Sequence, residues 1–229
     1  TDCKGRLLVL RPDNTVPIAR IVATRLKDAV LPIRLYYNQC VFTMEPSLKG
    51  RSAQTVQTGI ELIGSSSKMA DLEVIATAIE VLSSCSDGEF SLEIGDIRFF
   101  RELVEKLDAT DEQKETIRDY IEAKNYPALN DMLDSIGKNE ITHALKRLPR
   151  LFGGEEVFDK AAELFSDDKI DSVLEGLKEL YKNVSAIIGS GNLTVDLGMV
   201  NRTDYYTGVI IKGYLEGLSL IHISEPTRP

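Results

Sequence analysis

The feature that most constrains the fold is residues 35–64, LYYNQCVFTMEPSLKGRSAQTVQTGIELIG, which has the pattern of two strands joined by a basic loop. Apolar side chains alternate with other residues on both sides of that loop, at Ile33, Leu35, Tyr37, Ile60 and Leu62. Alternation with a period of two is the sequence signature of a strand. The stretch therefore predicts an antiparallel hairpin.

The loop and the returning strand carry the polar groups of this hairpin. Lys49-Gly50-Arg51 forms a flexible, positively charged tip, and Gln57 and Glu61 place an amide and a carboxylate on the second strand. Such an arrangement suits a small ligand that has both polar and charged groups. The alternation by itself is more typical of an ordinary hairpin on an antiparallel sheet than of a ligand site.

The charge balance and the cysteines exclude several classes of function. The chain has 229 residues and a net charge of −9, whereas nucleic acids and anionic membranes demand clustered Lys and Arg. Its three cysteines are odd in number, far apart and without a C-x-x-C pair, which indicates reduced thiols and no zinc site. No run is long enough to span a membrane, and no signal peptide opens the chain. We expect a soluble, cytoplasmic protein.

Strand and helix patterns interleave through the first half of the chain. Residues 7–10 have the pattern of an apolar strand, and the turn Arg11-Pro12-Asp13-Asn14-Thr15 carries helix-capping side chains before a helix at 16–26. A helical stripe and then an alternating strand follow the hairpin, at Leu72, Ile75, Ile79 and Leu82 and at Phe90, Leu92 and Ile94. Interleaved strands and helices around a central antiparallel pair predict an α+β domain.

From residue 111 to residue 183 the sequence changes character. This segment is charged, lacks strand alternation and is interrupted by Asn, Pro, Gly and Asp residues, which predicts an all-helical insertion of four or five short helices. Residues 1–110 and 184–217 then form the two parts of one core. We expect both ends to be truncated, and the tail 218–229 reads as non-native and is left out of the predicted fold.

The segment after the insertion brings two adjacent tyrosines to the start of a strand. The run Asp204-Tyr205-Tyr206-Thr207-Gly208 precedes the apolar residues 209–214. Neighbouring side chains on a strand point to opposite faces, so one tyrosine can pack while the other offers its hydroxyl to a cavity. An aromatic cross-strand pair is the alternative on these residues alone.

Three motifs together resemble the catalytic domain of histidyl-tRNA synthetase: LRPDNT, then KGR followed by Q-x-G-I-E, then DYYTG, with a helical block before the last. The resemblance implies a class II synthetase fold, in which helices flank an antiparallel sheet, and a dimer. It also implies a histidine-binding site. The residues of that site are Asp13 and Thr15 for the amino group, Gln57 and Glu61 for the amino acid and its imidazole, and Tyr205 and Tyr206 on the imidazole side.

Two positions depart from the synthetase pattern, and both concern ATP. The synthetase motif F-R-x-E supplies an arginine that braces the α-phosphate, but Thr43 stands there in this chain. Loss of one such electrostatic donor costs on the order of a hundredfold in rate. Asn201 stands where a second arginine belongs, and Arg202, one place along, would face the other side of a strand.

The chain lacks the ATP-handling arginines and retains the amino-acid contacts. In this pattern it resembles the regulatory subunits of ATP phosphoribosyltransferase. That resemblance implies a non-catalytic protein without a cofactor, which assembles with the short-form catalytic subunit of the first enzyme of histidine biosynthesis. It further implies a homodimer within a hetero-oligomer, and feedback inhibition with histidine as the effector. A ligand pocket in a scaffold that favours one conformation of a complex is what an allosteric sensor requires.

Two other functions remain as alternatives. One is a true histidyl-tRNA synthetase, which activates histidine with ATP and charges tRNA. The other is a nucleotide- or amino-acid-binding α+β protein of no particular pathway. Arg51 in the loop tip is either a phosphate ligand or a solvated loop cation. The acidic helical segment favours a protein partner over tRNA.

Overall fold

The structure, a computed structural model, describes residues 3–43, 52–86, 89–200 and 206–215. The chain divides into two compact units, residues 1–70 and residues 71–229. The first unit contains the predicted hairpin, and the second contains a four-stranded sheet and most of the helices. Each unit is described by itself below.

The first unit is built from one helix and one hairpin. Helix α1 spans Thr15–Arg25, strand β1 spans Ile33–Phe42 and strand β2 spans Gln54–Ile63. The two strands pair antiparallel without interruption, from Ile33 opposite Ile63 to Phe42 opposite Gln54. The predicted hairpin and the predicted helix at 16–26 are therefore confirmed, whereas the loop tip Lys49-Gly50-Arg51 lies outside the described residues.

Helix α1 is started by one residue of the LRPDNT turn. The carboxylate Oδ1 of Asp13 accepts a hydrogen bond of 3.1 Å from the backbone N–H of Val16, which satisfies one of the unpaired donors of the first turn. The carbonyl of Asn14 accepts the first helical bond, from Ile18 N–H at 3.1 Å. Because Asp13 provides the cap, the side chain of Asn14 is free to reach elsewhere.

The predicted strand at residues 7–10 is wrong. Leu7, Leu8, Val9 and Leu10 are not in a strand, and all four side chains are exposed. A strand is defined by a ladder of backbone hydrogen bonds to a neighbour. Among the described residues, one backbone hydrogen bond joins this region to a strand: Arg11 C=O, just after the segment, accepts from Phe42 N–H at 2.9 Å. A short apolar run alone therefore did not suffice to place this segment in a sheet.

The second unit follows a fixed order of elements. The helices are α2 (Lys68–Cys85, whose first residues precede the unit), α3 (Ile97–Glu105), α4 (Asp111–Glu122), α5 (Tyr126–Ile136), α6 (Glu140–Arg147), α7 (Glu156–Leu164) and α8 (Asp168–Ile188). The strands are β3 (Phe90–Asp96), β4 (Phe152–Gly153), β5 (Leu193–Asp196) and β6 (Val209–Leu215). A short 3-10 turn at Leu148–Arg150 precedes β4. The fold class, α+β, is confirmed.

The four strands form one mixed sheet in the order β4-β5-β3-β6. Strand β3 pairs antiparallel with β6, from Phe90 opposite Leu215 to Asp96 opposite Val209, but it pairs parallel with β5. The expectation of an antiparallel sheet is therefore wrong for this one pair of strands, and the sheet is mixed. A parallel pair needs a long crossover connection, and the helices between β3 and β5 provide one.

The helices between β3 and β5 begin and end where local sequence signals predict. Thr110 and Asn139 form capping boxes at the starts of α4 and α6, and Asp167 accepts bonds from two backbone N–H groups at the start of α8. Asn125 caps α5, and Pro127 follows within its first turn. The prediction that residues 111–183 are all-helical is wrong in one place, because strand β4 lies within the segment and pairs with β5. The last helix, α8, is also longer than expected, with 21 residues. No helix in the described part of the chain is both long and apolar enough to cross a membrane.

The core of the second unit lies between the sheet and the helices. On β3, Phe90, Leu92 and Ile94 alternate as buried residues and face the helical side. Helix α8 packs on both β3 and α3. At the end of β3 the buried Asp96 caps α3, accepting from the backbone N–H of Arg98 at 2.9 Å and from its guanidinium. This residue joins the sheet to the first helix after it.

Candidate functional site

One face of the hairpin carries the polar residues of the first two motifs. In the β1–β2 register Leu35 lies opposite Glu61, Tyr37 opposite Gly59, and Gln39 opposite Gln57. Every second residue of a strand faces the same side, so Gln57, Gly59 and Glu61 share one face with their three partners. The LRPDNT turn lies against this face, because Arg11 donates to the Gln39 side chain.

The start of α1 contacts the hairpin at Glu61. Glu61 is half-buried, and its carboxylate accepts a side-chain hydrogen bond from Thr15. Burial raises the pKa of Glu61 above its ordinary value, the negative charge of Asp13 raises it further, and the Thr15 hydrogen bond partly opposes both. Two carboxylates and one hydroxyl therefore surround one spot, which is an environment that attracts a cationic group.

A second contact between the same elements involves Gln57. The side-chain Nδ2 of Asn14 donates to Oε1 of Gln57 at 2.9 Å, and Asn14 is only 3% exposed. The structure therefore places four of the residues predicted for the site along the contact between the start of α1 and the hairpin: Asp13, Thr15, Gln57 and Glu61. The role of Asn14 was missed because the sequence shows it as one of three possible helix caps, and only the use of Asp13 as the cap distinguishes it.

An aromatic ring covers the strand between Gln57 and Glu61. A Cβ atom placed on Gly59 would lie 2.5 Å from Cζ of Tyr37, so the phenol of Tyr37 rests directly on the glycine backbone. Tyr37 appears in the sequence only as part of a strand pattern. The signal for its position is Gly59 itself, because a glycine in a strand interior often marks a close approach of this kind.

Replacing Gly59 with alanine is expected to destabilise the first unit. The added methyl group must displace the outer end of the half-buried Tyr37 ring, and overpacking that a side chain can partly relieve costs about 1 kcal/mol, the low end of the usual range. Urea denaturation followed by tyrosine fluorescence measures the change. Gly176→Ala is the matched control: Gly176 lies within α8 with nothing near its Cβ position, so that variant is expected to gain about 0.5–1 kcal/mol. Equal stability of Gly59→Ala and the unmodified chain would contradict the described packing.

The remaining predicted site residues lie elsewhere or outside the described residues. Tyr206 belongs to the second unit, where it packs against Ile97, Met199 and Ile210. It also lines a cavity of about 280 Å³ with residues of α3 and the start of α4. The walls of this cavity mix acidic and basic side chains and leave no excess of either sign: Arg101, Glu105, Asp111, Lys114, Glu115 and Arg118. Tyr205 and Arg51 lie outside the described residues.

Of the two positions where an arginine of the synthetase pattern is replaced, the structure describes one. Thr43 is described: it is exposed, and its backbone N–H donates to Ala53 C=O at 2.9 Å, which extends the hairpin ladder by one bond. Its side chain is a hydroxyl without charge. Asn201 and Arg202 lie outside the described residues.

A second group of polar side chains occupies the face of the four-stranded sheet that is turned away from its core. The Tyr214 hydroxyl donates to Oε2 of Glu93 at 2.8 Å, and Glu93 lies directly opposite Lys212. Burial raises the pKa of Tyr214, and its hydrogen bond to Glu93 adds to that shift. Burial also raises the pKa of Asp196 at the end of the neighbouring strand. These groups are linked to one another and form a half-buried network.

Comparison with known proteins identifies the family. The sequence profile of the histidyl-tRNA synthetase family matches residues 1–221. An ATP phosphoribosyltransferase regulatory subunit of Clostridium kluyveri is 43% identical over 219 residues, which is 94% of this chain and 56% of that protein. A crystal structure from Bacillus halodurans, described as an ATP phosphoribosyltransferase regulatory subunit/histidyl-tRNA synthetase, has a TM-score of 0.86 and 32% identity, and the alignment covers 96% of this chain and 57% of that one.

A more distant structure shares the fold. The ATP phosphoribosyl transferase (HisG:HisZ) complex from Thermotoga maritima contains a chain with a TM-score of 0.73 and 18% identity, aligned over 94% of this chain and 74% of that one. The present chain spans about half the length of the curated relatives it matches. The curated relative described above is an ATP phosphoribosyltransferase regulatory subunit, and the chain belongs to the histidyl-tRNA synthetase family.

Proposed function

We propose that the protein to which this chain belongs is a non-catalytic regulatory subunit of ATP phosphoribosyltransferase that binds histidine at the hairpin. One observation carries the proposal. The residues inferred to contact the amino acid converge where α1 meets the hairpin, whereas the position that should brace the phosphate of ATP is Thr43. A hydroxyl cannot neutralise a phosphate in a transition state, so amino-acid binding is retained without activation of the amino acid.

Histidine fits the chemistry of the hairpin site. Its ammonium group pairs with Asp13 and the Thr15 hydroxyl, and Glu61 accepts from an imidazole N–H. Gln57 supplies a carboxamide to the amino acid, and the imidazole-side role that the resemblance implies for Tyr205 and Tyr206 stays a prediction. The surroundings of Glu61 support this assignment, because a half-buried carboxylate near a second acid lowers its free energy by taking a cationic partner. Arg51 is left without an assigned role here: a solvated loop cation is favoured over a ligand for the phosphate of a nucleotide or of the partner's ligand.

The partner in this proposal is the short-form catalytic subunit of ATP phosphoribosyltransferase. The names of the relatives support it, and the Thermotoga maritima structure is a complex with a second type of chain. The protein forms a homodimer within a hetero-oligomer in the cytoplasm, and histidine acts on the complex as a feedback effector. In this division residues 1–110 and 184–217 form the synthetase-like core, residues 111–183 form an acidic, mainly helical insertion suited to a protein partner, with β4 joining the core sheet, and the tail 218–229 is non-native.

An activity assay on the full-length protein tests the proposal. A short-form catalytic subunit is assayed for formation of phosphoribosyl-ATP, with and without the full-length protein, while histidine is titrated. We expect activity that requires both chains and falls as histidine rises. The catalytic subunit with an unrelated class II synthetase is the control. If the protein leaves the transferase unchanged and instead supports histidine-dependent ATP–pyrophosphate exchange, it is a synthetase and the proposal fails.

A further inference from the structure

Asn14 stands out among the residues of the hairpin site because the function proposed above assigns it no role. It is one of three polar or charged residues described as buried, with 3% of its surface exposed, although it lies in a turn. It does not cap α1 with its side chain, since Asp13 does so. Its carboxamide instead crosses to the hairpin and donates from Nδ2 to Oε1 of Gln57 at 2.9 Å.

This hydrogen bond fixes the direction of the Gln57 carboxamide. A glutamine side chain has an acceptor oxygen on one side and an NH₂ donor on the other, and free rotation about its last bond presents either one. When Oε1 is held by Asn14, the NH₂ group of Gln57 points away from Asn14. With the Asn14 carboxamide oriented as it is in the structure, Gln57 loses this hydrogen bond if it turns round alone, and an unsatisfied buried donor at Asn14 is costly. The pair therefore favours one orientation.

We propose that Asn14 is a positioning residue that sets the polarity of Gln57, so that the hairpin site offers N–H donors at Gln57 and acceptors at Glu61 and Asp13. A site with donors at one end and carboxylates at the other selects a ligand with an anionic group as well as a cationic one. It prefers an amino-acid zwitterion to the corresponding amine without a carboxylate. This inference rests on the proposal that the hairpin binds histidine.

The spacing along β2 is consistent with two separate ends of one ligand. Gln57 and Glu61 face the same side and are four residues apart, which is about 13 Å between Cα atoms at ~3.3 Å per residue. Both side chains must lean over Gly59 and the Tyr37 ring to contact one small molecule. A Gln57 carboxamide held by Asn14 is already directed, and less conformational entropy is lost when the ligand binds.

The substitution Asn14→Asp reverses the hydrogen bond while it keeps the shape of the side chain. Aspartate has no donor when it is ionised, so Gln57 is expected to turn its NH₂ group toward residue 14 and its oxygen toward the ligand. Calorimetric titration of the full-length protein with L-histidine and with histamine, which lacks the carboxylate, measures the effect. We expect histidine affinity to fall about tenfold or more and histamine affinity to change less than about threefold, so that preference for the zwitterion is lost.

A double-mutant cycle separates this effect from the new negative charge. In a Gln57→Leu background there is no carboxamide to orient, so adding Asn14→Asp is expected to leave the ratio of histidine to histamine affinity almost unchanged. If the ratio falls as far in that background as it does in the unmodified protein, the charge of the aspartate acts directly and the inference is wrong. Thermal unfolding of each variant shows whether the fold is retained.

A measurement without ligand keeps this inference distinct from the histidine assignment. In the free protein, side-chain amide exchange by NMR should show the Asn14 NH₂ protected and the Gln57 NH₂ open to solvent. Protection of Gln57 instead would show that the hydrogen bond runs the other way, and would overturn the inference whatever the ligand is. If the protection pattern is as expected but neither histidine nor histamine binds, the histidine assignment fails and the orientation of Gln57 stands.

Discussion

Replacing Glu61 with glutamine is expected to weaken histidine binding by roughly 10- to 100-fold. The substitution keeps the size of the side chain but removes the charge that faces the cationic end of the ligand, and hydrogen bonds to charged groups are worth ~1.5–3 kcal/mol. Calorimetric titration of the full-length protein measures the change. Glu80→Gln on the exposed side of α2 is the matched control and should leave the affinity unchanged. An unaltered affinity in Glu61→Gln would show that histidine does not contact this residue.

The same variant should be more stable than the unmodified protein at neutral pH. Burial raises the pKa of folded Glu61 above its value in the unfolded chain, so ionisation of Glu61 favours unfolding. The folded state is therefore most stable when Glu61 is protonated. This contribution of Glu61 to stability is fully present below the unfolded pKa and is lost as the pH rises through the raised folded pKa. Thermal unfolding at pH 4 and pH 7 should therefore show a gain for Glu61→Gln at pH 7 that shrinks toward pH 4. Together with weaker histidine binding, that result would show that Glu61 lowers the stability of the folded protein and strengthens ligand binding.

Replacing Asp96 with alanine is expected to reduce the free energy of unfolding by about 2–4 kcal/mol. Asp96 is 1% exposed, caps α3 through the backbone N–H of Arg98, and also accepts from Nε and Nη2 of Arg98 at 2.9 and 2.5 Å. Loss of the cap alone costs about 0.5–2 kcal/mol, and hydrogen bonds to the charged guanidinium add to this. The Arg98 side chain is 40% exposed and can return to water, which limits the total.

Two variants make the Asp96 measurement specific. Asp96→Asn keeps an acceptor for the backbone N–H but not the charge, so its urea midpoint should lie between those of the unmodified protein and Asp96→Ala. Asp108→Ala removes an exposed carboxylate and should change stability by less than about 0.5 kcal/mol. If Asp96→Ala and Asp108→Ala unfold at the same urea concentration, Asp96 does not join β3 to α3 as described.

The parts of the fold that were predicted correctly are those governed by neighbouring residues. The β1–β2 hairpin follows from a period of two, and the starts of α5 and α8 follow from the sequence signals at Asn125 and Asp167. Each signal acts within a few residues. The strand predicted at residues 7–10 failed because its partner cannot be read from its own pattern. The parallel pairing of β3 with β5 was missed for the same reason.

The residues of the candidate site also divide into those that sequence motifs predicted and those that only the structure shows. Asp13, Thr15, Gln57 and Glu61 were singled out from motifs, and the structure brings them together. Tyr37 and Asn14 were not singled out. Their positions depend on which residue of the turn caps α1 and on a glycine that lets a ring approach the strand. Such choices are made by packing between distant segments, and residue type alone does not reveal them.

The parallel pairing of β3 with β5 has a consequence for how the chain is made. Leu92 and its neighbour Leu193 are about 100 residues apart, so at ~5–20 residues per second β3 leaves the ribosome several seconds before β5 can join it. The helices α4–α8 have mainly local contacts and can form in that interval, since local contacts fold fastest. Until β5 and β6 arrive, the apolar residues of β3 have no sheet to enter. Nascent chains halted between α8 and β5 are therefore expected to have an unpaired edge at β3, which makes them prone to aggregation.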